Sequence, residues 1–370
     1  MRLIYLSPMP WHSFSQRSHE LVRCFHEKTD EPVLWIEPYP TRFPALGDLR
    51  QLRLASAGAT HPRPTYPETP SWLTVLQPRA LPIEPIPGSG WINRPLWQPI
   101  IVQARRFARH PTLLGIGKPS SLASRLLREP IFEASFYDAM DNFSEFYQGL
   151  SRKAMERRQQ STARAVSMVL TSSSALQAQM SALSGNVKLL GNACATERLP
   201  QRREKRSTRL DNPVLGYVGT IAKWFAWEIV VALAKAYPHA EIRLIGPLHT
   251  RLPAHLPSNI HVSGEVSHEE AMKAMADFDI GLIPFKCDAL TRFVDPIKYY
   301  EYRALGLPVI STAFGEMVGR DAYPGTFLLG GPEDIRHAMD QALSFDEPEE
   351  HTRRFRCDNS WRARFSVAIP

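Results

Sequence analysis

A chain of 370 residues, 44% hydrophobic and 22% charged, is long enough for about two domains with cores of their own. Its four cysteines (Cys24, Cys194, Cys287, Cys357) are far apart and form no CxxC pair, which argues against a zinc site or disulfide framework and for buried or incidental thiols. Residues 1–211 hold 28 Lys+Arg against 17 Asp+Glu and the remainder 16 against 20, so a first half of +11 and a second of −4 sum to +7. A basic half suits an anionic membrane surface or a phosphate-linked partner better than nucleic acid, for which no basic-aromatic motif or zinc finger is present; scattered solvated charge is the alternative.

In chain order, MRLIYLSPMP is too short an apolar run, broken by two prolines, for a signal peptide, and no window reaches the ~18 apolar residues of a membrane span. It reads as a first buried strand over Leu3–Ser7, in a cytoplasmic protein. A helix near Ser18–Glu27 and a strand Val33–Ile36 complete a β-α-β start without a GxGxxG turn. Residues 38–100 are proline-rich and irregular, with a strand expected at Leu73–Gln77 and a turn at Pro87-Gly88. Strands then follow at Leu113–Gly115, Ala134–Tyr137, Met168–Thr171 and Val187–Leu190, interleaved with helices at Ser120–Arg128, Ser151–Val166 and Ala175–Leu183. The charged, aperiodic run RLPQRREKRSTRLD supplies the best boundary: a first domain of 1–200, a linker of 201–211 and a second domain of 212–370, its last helix free to pack back on the first.

In the second half, strands are expected at Val214–Val218, Ile242–Ile245, Ile260–Val262, Asp279–Pro284 and Val309–Ser311, with a helix at Glu228–Ala236 and a capping box, Ser267 to Glu270, opening another at Glu269–Ala276. Asp295-Pro296 reads as an N-cap followed by proline, and Gly306 with Pro308 closes that helix. Alternation of this kind builds α/β domains with parallel sheets, and two in tandem leave a central cleft at the carboxyl ends of their strands.

Three constellations carry chemistry. Gly219-Thr220 at a strand end, with Lys223 just after, could receive a phosphate on backbone N–H groups beside a cation, although a tight turn with a surface lysine looks the same in sequence. In DPIKYYEYRALGLPVIST, Lys298 and Glu301 share a helical face near an N-terminus whose dipole favours anions, and Glu301 could accept two ribose hydroxyls; the alternative is an i,i+3 ion pair worth only tenths of a kcal/mol. Asp138 and Asp141 end a strand of the first half, where a carboxylate could orient or deprotonate a hydroxyl, or where Asp141 could simply cap a helix. His12 and His19 rank lower, and no DxD pair sits in a metal-like setting.

The run GYVGTIAKWFAWE, LIGP, VSGEVSHEE and FDIGLIPFKCDALTRFVDPIKYYEYRALGLPVIST resembles the donor-binding half of GT-B glycosyltransferases, most of all bacterial teichuronic-acid and exopolysaccharide enzymes of the retaining group 1 superfamily. The likeness is dense over 214–312 and looser before it, through Trp11, Gln16 and Arg17 (W-x4-QR), LWIEPYP, YDAMDNFSEF, TSSSAL and LLGNA.

The resemblance implies two Rossmann-like domains facing a central cleft. It implies sugar transfer from a UDP-, GDP- or dTDP-sugar to a saccharide or lipid-linked acceptor in bacterial surface polysaccharide or glycolipid synthesis, with retention at the anomeric carbon. Gly219, Thr220 and Lys223 would hold the diphosphate, Glu301 the ribose, and the Gly264–Val266 turn would lie near the base, with Asp295 and Lys298 completing the donor site. Trp11, His12, Gln16 and Arg17 would face the acceptor, and Asp138 and Asp141 the chemistry.

No cofactor beyond the donor and no obligatory metal are expected; partners would be donor, acceptor and the inner face of an anionic membrane. Three departures stand out. Phe293 occupies the place of a sugar-side glutamate that Asp295 could partly replace, Thr220 the place of a frequent arginine, and Asn192-Ala-Cys-Ala195 the place of Asn-Gly-Val-Asp. They leave room for a nucleotide-sugar 2-epimerase, or for a non-catalytic subunit of a polysaccharide synthase, on the same architecture.

Overall fold

The structure is a computed structural model describing residues 1–13, 16–43, 69–200 and 212–367, and every strand expected from the sequence forms. The reason is burial: a parallel strand covered on both faces must be apolar along its whole length, and such runs stand out in a sequence. Runs such as Arg2–Leu6, Val33–Ile36 and Val214–Val218 are almost wholly buried.

The chain divides into two units, the first ending at Leu190 and the second beginning at Gly191. Residues 191–200, assigned from sequence to the first domain, belong with the second: Asn192 bonds to Asp295, and Cys194 and Leu199 pack in the core that holds Tyr299, Tyr302 and Phe314. The expected linker 201–211 lies outside the described residues. The final helix, Trp361–Ser366, also groups with the second unit, its N-cap Ser360 bridging to Cys194.

The first unit carries a seven-stranded parallel sheet in the order β3-β2-β1-β4-β5-β6-β7, where β1 is Arg2–Leu6, β2 Val33–Ile36, β3 Leu73–Leu76, β4 Thr112–Ile116, β5 Ala134–Ala139, β6 Met168–Thr171 and β7 Val187–Leu189. A helix over Arg94–Phe107 breaks into the region read as irregular. Two prolines hid it: Pro95 lies in the first turn, where no N–H is needed, and Pro99 just beyond, while Trp97, Ile100, Ile101 and Ala104 make its buried face.

The second unit has a six-stranded parallel sheet, β10-β9-β8-β11-β12-β13, with β8 Val214–Val218, β9 Glu241–Ile245, β10 Ile260–Ser263, β11 Ile280–Ile283, β12 Val309–Thr312 and β13 Thr326–Leu329. The Ser267–Glu270 capping box forms as expected, Ser267 N–H donating to Glu270 Oε2 at 2.8 Å and Glu270 N–H to Ser267 Oγ at 3.2 Å. In each sheet the strand order reverses beside the first strand, between β1 and β4 and between β8 and β11, and the loops leaving these carboxyl ends are where an open α/β sheet takes a ligand.

Candidate functional site

In the second unit a row of turns follows the carboxyl ends of β10, β9, β8 and β11. Gly219 ends β8 with φ +153°, and its N–H donates to Ile245 O at 2.9 Å. Gly246 ends β9 with φ +140°, and a Cβ there would stand 2.2 Å from Gly219 O. Only glycine permits two turns to meet so closely, and Gly246 N–H in turn reaches Ser263 O at 3.1 Å. Gly264 and Val266 continue this row as exposed residues after β10. Thr220 is half-buried, its carbonyl accepting the Tyr217 hydroxyl at 2.9 Å, and Lys223 is exposed.

The loop carrying Lys223 is zipped to the loop after β11. Lys286 N–H donates to Trp224 O at 2.7 Å, and Phe225 and Phe285 form an antiparallel bridge. Lys286, exposed and immediately across from Trp224, is thus a second cation of this edge that the sequence reading did not select. Its signal was available in principle: it follows the strand that pairs with β8 at the switch point.

The Ile297–Ala304 helix is clamped to the same edge. Val218 N–H donates to Tyr302 Oη at 3.0 Å, so the residue before Gly219 is bonded to the residue after Glu301. The Tyr302 ring packs against Gly281 of β11, where a Cβ would come within 2.4 Å of it. Glu301 is 9% exposed and pairs with Lys298 at 2.5 Å, so the i,i+3 ion pair does form. Burial, and next the nearby charge of Glu301, push the Cys194 thiol up.

Asp295 corrects the sequence reading. Its carboxylate does not cap the helix, whose N-cap is Pro296, and it is not open to a sugar. Oδ2 accepts Asn192 N–H at 2.6 Å and the Tyr300 hydroxyl at 3.0 Å, while Oδ1 takes Arg320 Nη2 at 2.5 Å. The guanidinium of Arg320 lies over the Tyr299 ring at 3.9 Å. Asp295 therefore anchors the helix base and the 191–195 segment, buried at 4% exposure with three donors already on its carboxylate, which speaks against the sugar-side role suggested for it.

In the first unit, Asp138 is likewise withdrawn from the role expected of it. It is fully buried on β5, its Oδ1 accepting Arg17 Nε–H at 2.8 Å and its Oδ2 the Tyr5 hydroxyl at 3.3 Å. Arg17, equally buried, also donates to Leu190 O at 2.7 Å, so it ties β5 to the end of β7 and does not face an acceptor. Trp11 is buried as well, edge-on to Trp35 at 5.2 Å, its N–H donating to Glu37 Oε1 at 3.2 Å. Of the four acceptor candidates only His12, exposed and 3.4 Å from the Thr69 hydroxyl, and Gln16, half-buried at a helix N-cap, keep surface. The W-x4-QR pattern thus builds the turn more than it lines a site. His19 completes it: burial lowers its pKa to about 4, against the Trp11 carbonyl that Nε2 meets at 3.1 Å, and Nδ1 accepts Gln16 N–H at 3.3 Å.

Asp141 differs from its neighbour. It is half-buried, in the turn after β5, and does not cap the short helix at Phe143–Phe146, whose N-cap is Asn142. Burial raises its pKa from 3.8 to about 7, with the Arg17 charge opposing and the Asp138 charge adding. The fold favours the neutral acid, so the cost of this group is absent below pH 4 and grows as pH rises towards 7. Asp141→Asn is therefore expected to raise the melting temperature above pH 7, by up to about 4 kcal/mol in stability, and to change nothing at pH 3.5. Melting curves across that range check it; an equal effect at both ends would contradict the placement.

Among the described residues, no group of three or more His, Cys, Asp or Glu could hold a metal ion, and no helix is long and apolar enough to cross a membrane.

Residues 212–344 match the family described as glycosyl transferases group 1. No curated protein sequence matches the chain. Among solved structures, it is similar to sucrose-phosphate synthase from Thermosynechococcus elongatus (13% identity, TM-score 0.65, covering 99% of this chain and 97% of that one). It is also similar to the lipopolysaccharide outer core galactosyltransferase WaaB (11%, 0.63, 100% and 99%) and to Anabaena HepE in complex with UDP and glucose (15%, 0.58, 99% and 95%). At these identities the structural likeness establishes a shared fold over the full length of the chain.

Proposed function

We propose that this chain, whose residues 212–344 match the family described as glycosyl transferases group 1 and whose fold is shared with known glycosyltransferases of the GT-B type, moves a sugar from a nucleoside-diphosphate sugar to a hydroxyl of a saccharide or lipid-linked acceptor, with retention, in the synthesis of a bacterial surface polysaccharide or glycolipid. The observation that carries the reading is the bond from Val218 N–H to Tyr302 Oη, which joins the Gly219 turn to the helix bearing Lys298 and Glu301. A diphosphate at that turn would meet backbone N–H groups, the helix dipole and the cations Lys223, Lys286 and Lys298, where negative charge grows as the leaving group departs. Glu301 would accept the ribose hydroxyls, and the exposed Gly264–Val266 turn would lie towards the base. HepE was crystallised with UDP and glucose, which supports the choice of donor class.

In the reaction, the acceptor oxygen bonds the anomeric carbon, the bond from that carbon to the phosphate oxygen breaks, and the departing phosphate takes the acceptor proton. Asp141 would orient the acceptor hydroxyl in its ionised form, so transfer is expected to rise with pH through about 7. The reading includes no obligatory metal and puts the enzyme in the cytoplasm, peripheral to the inner membrane face.

A transfer assay with UDP-, GDP- and dTDP-sugars, with and without a saccharide or polyprenyl-diphosphate acceptor, tests it. Donor consumption should need the acceptor and survive EDTA. Conversion of donor sugar without acceptor would point to an epimerase, and absence of binding by any nucleotide to a non-catalytic subunit; either result overturns the proposal.

A further inference from the structure

We propose that the face formed by residues 86–96 and the Ser121–Arg128 segment of the first unit is a docking surface for an anionic lipid bilayer. It gives an address to the peripheral association included in the reading above, and it is read out without sugar transfer, so either can fail alone.

A cavity of about 590 Å³ opens here, lined by Trp91, Arg94, Trp97, Ser121, Arg125 and Arg128. Trp91 on its lining is 79% exposed, and within the same 86–96 segment Ile92 (52%), Ile86 (43%) and Leu96 (39%) are exposed as well. Exposed apolar residues scattered singly need no explanation, but four within eleven residues, beside three arginines, do.

The segment is held firmly. Asn93 clasps Leu81, accepting its N–H at 2.8 Å and donating to its carbonyl at 3.2 Å, and the Glu84 carbonyl accepts Ser89 Oγ–H at 3.0 Å and Arg158 Nη2–H at 2.6 Å. Trp91 is thus presented to solvent by a braced turn.

The local charge is positive. Glu84 is buried, pairs with Arg158 at 3.2 Å and accepts the N–H of Ser121 on the cavity lining, so its charge is already matched by a cation outside that lining. Glu129, the acidic residue nearest the cavity in sequence, is shared between Arg105 and Arg125, each at 2.7 Å. The Arg128 guanidinium donates to the Ser124 carbonyl at 3.1 Å, and neither it nor Arg94 has an ion-pair partner among the described residues. Two cations without ion-pair partners thus share the cavity lining with the exposed Trp91 indole.

A free phosphate or sugar phosphate would satisfy the arginines but leave the apolar rim in water. A bilayer surface satisfies both, since lipid phosphates can enter the arginine cavity while tryptophan and isoleucine settle at the headgroup and acyl boundary. That double complementarity commits the face to a membrane.

The test is co-sedimentation of the full-length protein with vesicles of phosphatidylcholine alone or mixed with phosphatidylglycerol. Wild type should bind the mixed vesicles, release at high salt, and ignore phosphatidylcholine. Arg94→Glu/Arg128→Glu should lower the partition by roughly 20-fold or more, and Trp91→Ala should lower it several-fold at any salt. All three side chains are at the surface, so unchanged melting curves are expected to show that the variants are folded. Failure of wild type to bind mixed vesicles overturns the proposal. Binding undiminished in both variants does so too, as does thermal stabilisation by inorganic phosphate without vesicle binding.

Discussion

Replacing Glu301 by alanine is expected to lower kcat/KM for the nucleotide sugar by about 100-fold, mostly through KM. A hydrogen bond to a charged group contributes about 1.5–3 kcal/mol, and a carboxylate holding two ribose hydroxyls makes two, with losses that overlap when both go together. The size of the effect separates the two roles open to this residue. If Glu301 served only its ion pair with Lys298 at 2.5 Å, the loss would be tenths of a kcal/mol and the kinetics would change less than threefold. Lys298 is half-exposed and can turn to solvent once its partner is gone, so the fold should tolerate the change. Glu301→Gln, which keeps one acceptor oxygen, should fall between. Initial rates against donor concentration, with melting curves as the control for folding, decide it.

The second large effect lies in the first unit and concerns stability. Arg17 and Asp138 form an ion pair at 2.8 Å with neither side chain exposed. Removing one partner leaves the other charged in a low-dielectric interior, a change that costs about 3–5 kcal/mol, against the ~5–15 kcal/mol by which a domain is stable. Arg17→Met should therefore lower the melting temperature of the first unit by about 10 °C or more. Asp138→Leu should do as much. The double variant should recover most of the loss, because the uncompensated charge disappears with its partner. A double variant no more stable than either single one would show that packing, and not charge, dominates here.

How much of this was legible in the sequence follows from the range of the interactions. The parallel strands were readable because each is a continuous apolar run, and the Ser267–Glu270 cap because its partners are three residues apart. The Gly219 turn and the i,i+3 spacing of Lys298 and Glu301 were legible for the same local reason. The Arg94–Phe107 helix was missed because two prolines argue against a helix unless their places in it are known.

Asp295 and Asp138 were misjudged for a different reason. Their partners, Arg320 and Arg17, are 25 and 121 residues away, and nothing in a local pattern reveals that a carboxylate at a strand or helix end is already occupied. Asp141, two residues after β5, has its pKa raised by burial that no spacing announces. Lys286 became a candidate only when the Phe225–Phe285 bridge put its loop beside that of Lys223.

The central claim is that a nucleoside diphosphate binds at the carboxyl edge of the second sheet, against the Gly219 turn and the start of the Ile297–Ala304 helix. Amide hydrogen exchange, followed with and without UDP, GDP or dTDP, locates the ligand directly. The account predicts that one of the three slows exchange at Gly219–Lys223 and at Ile297–Glu301, and that Glu301→Ala weakens this protection. Protection confined to the first unit, or none with any nucleotide at concentrations that saturate related transferases, would contradict it.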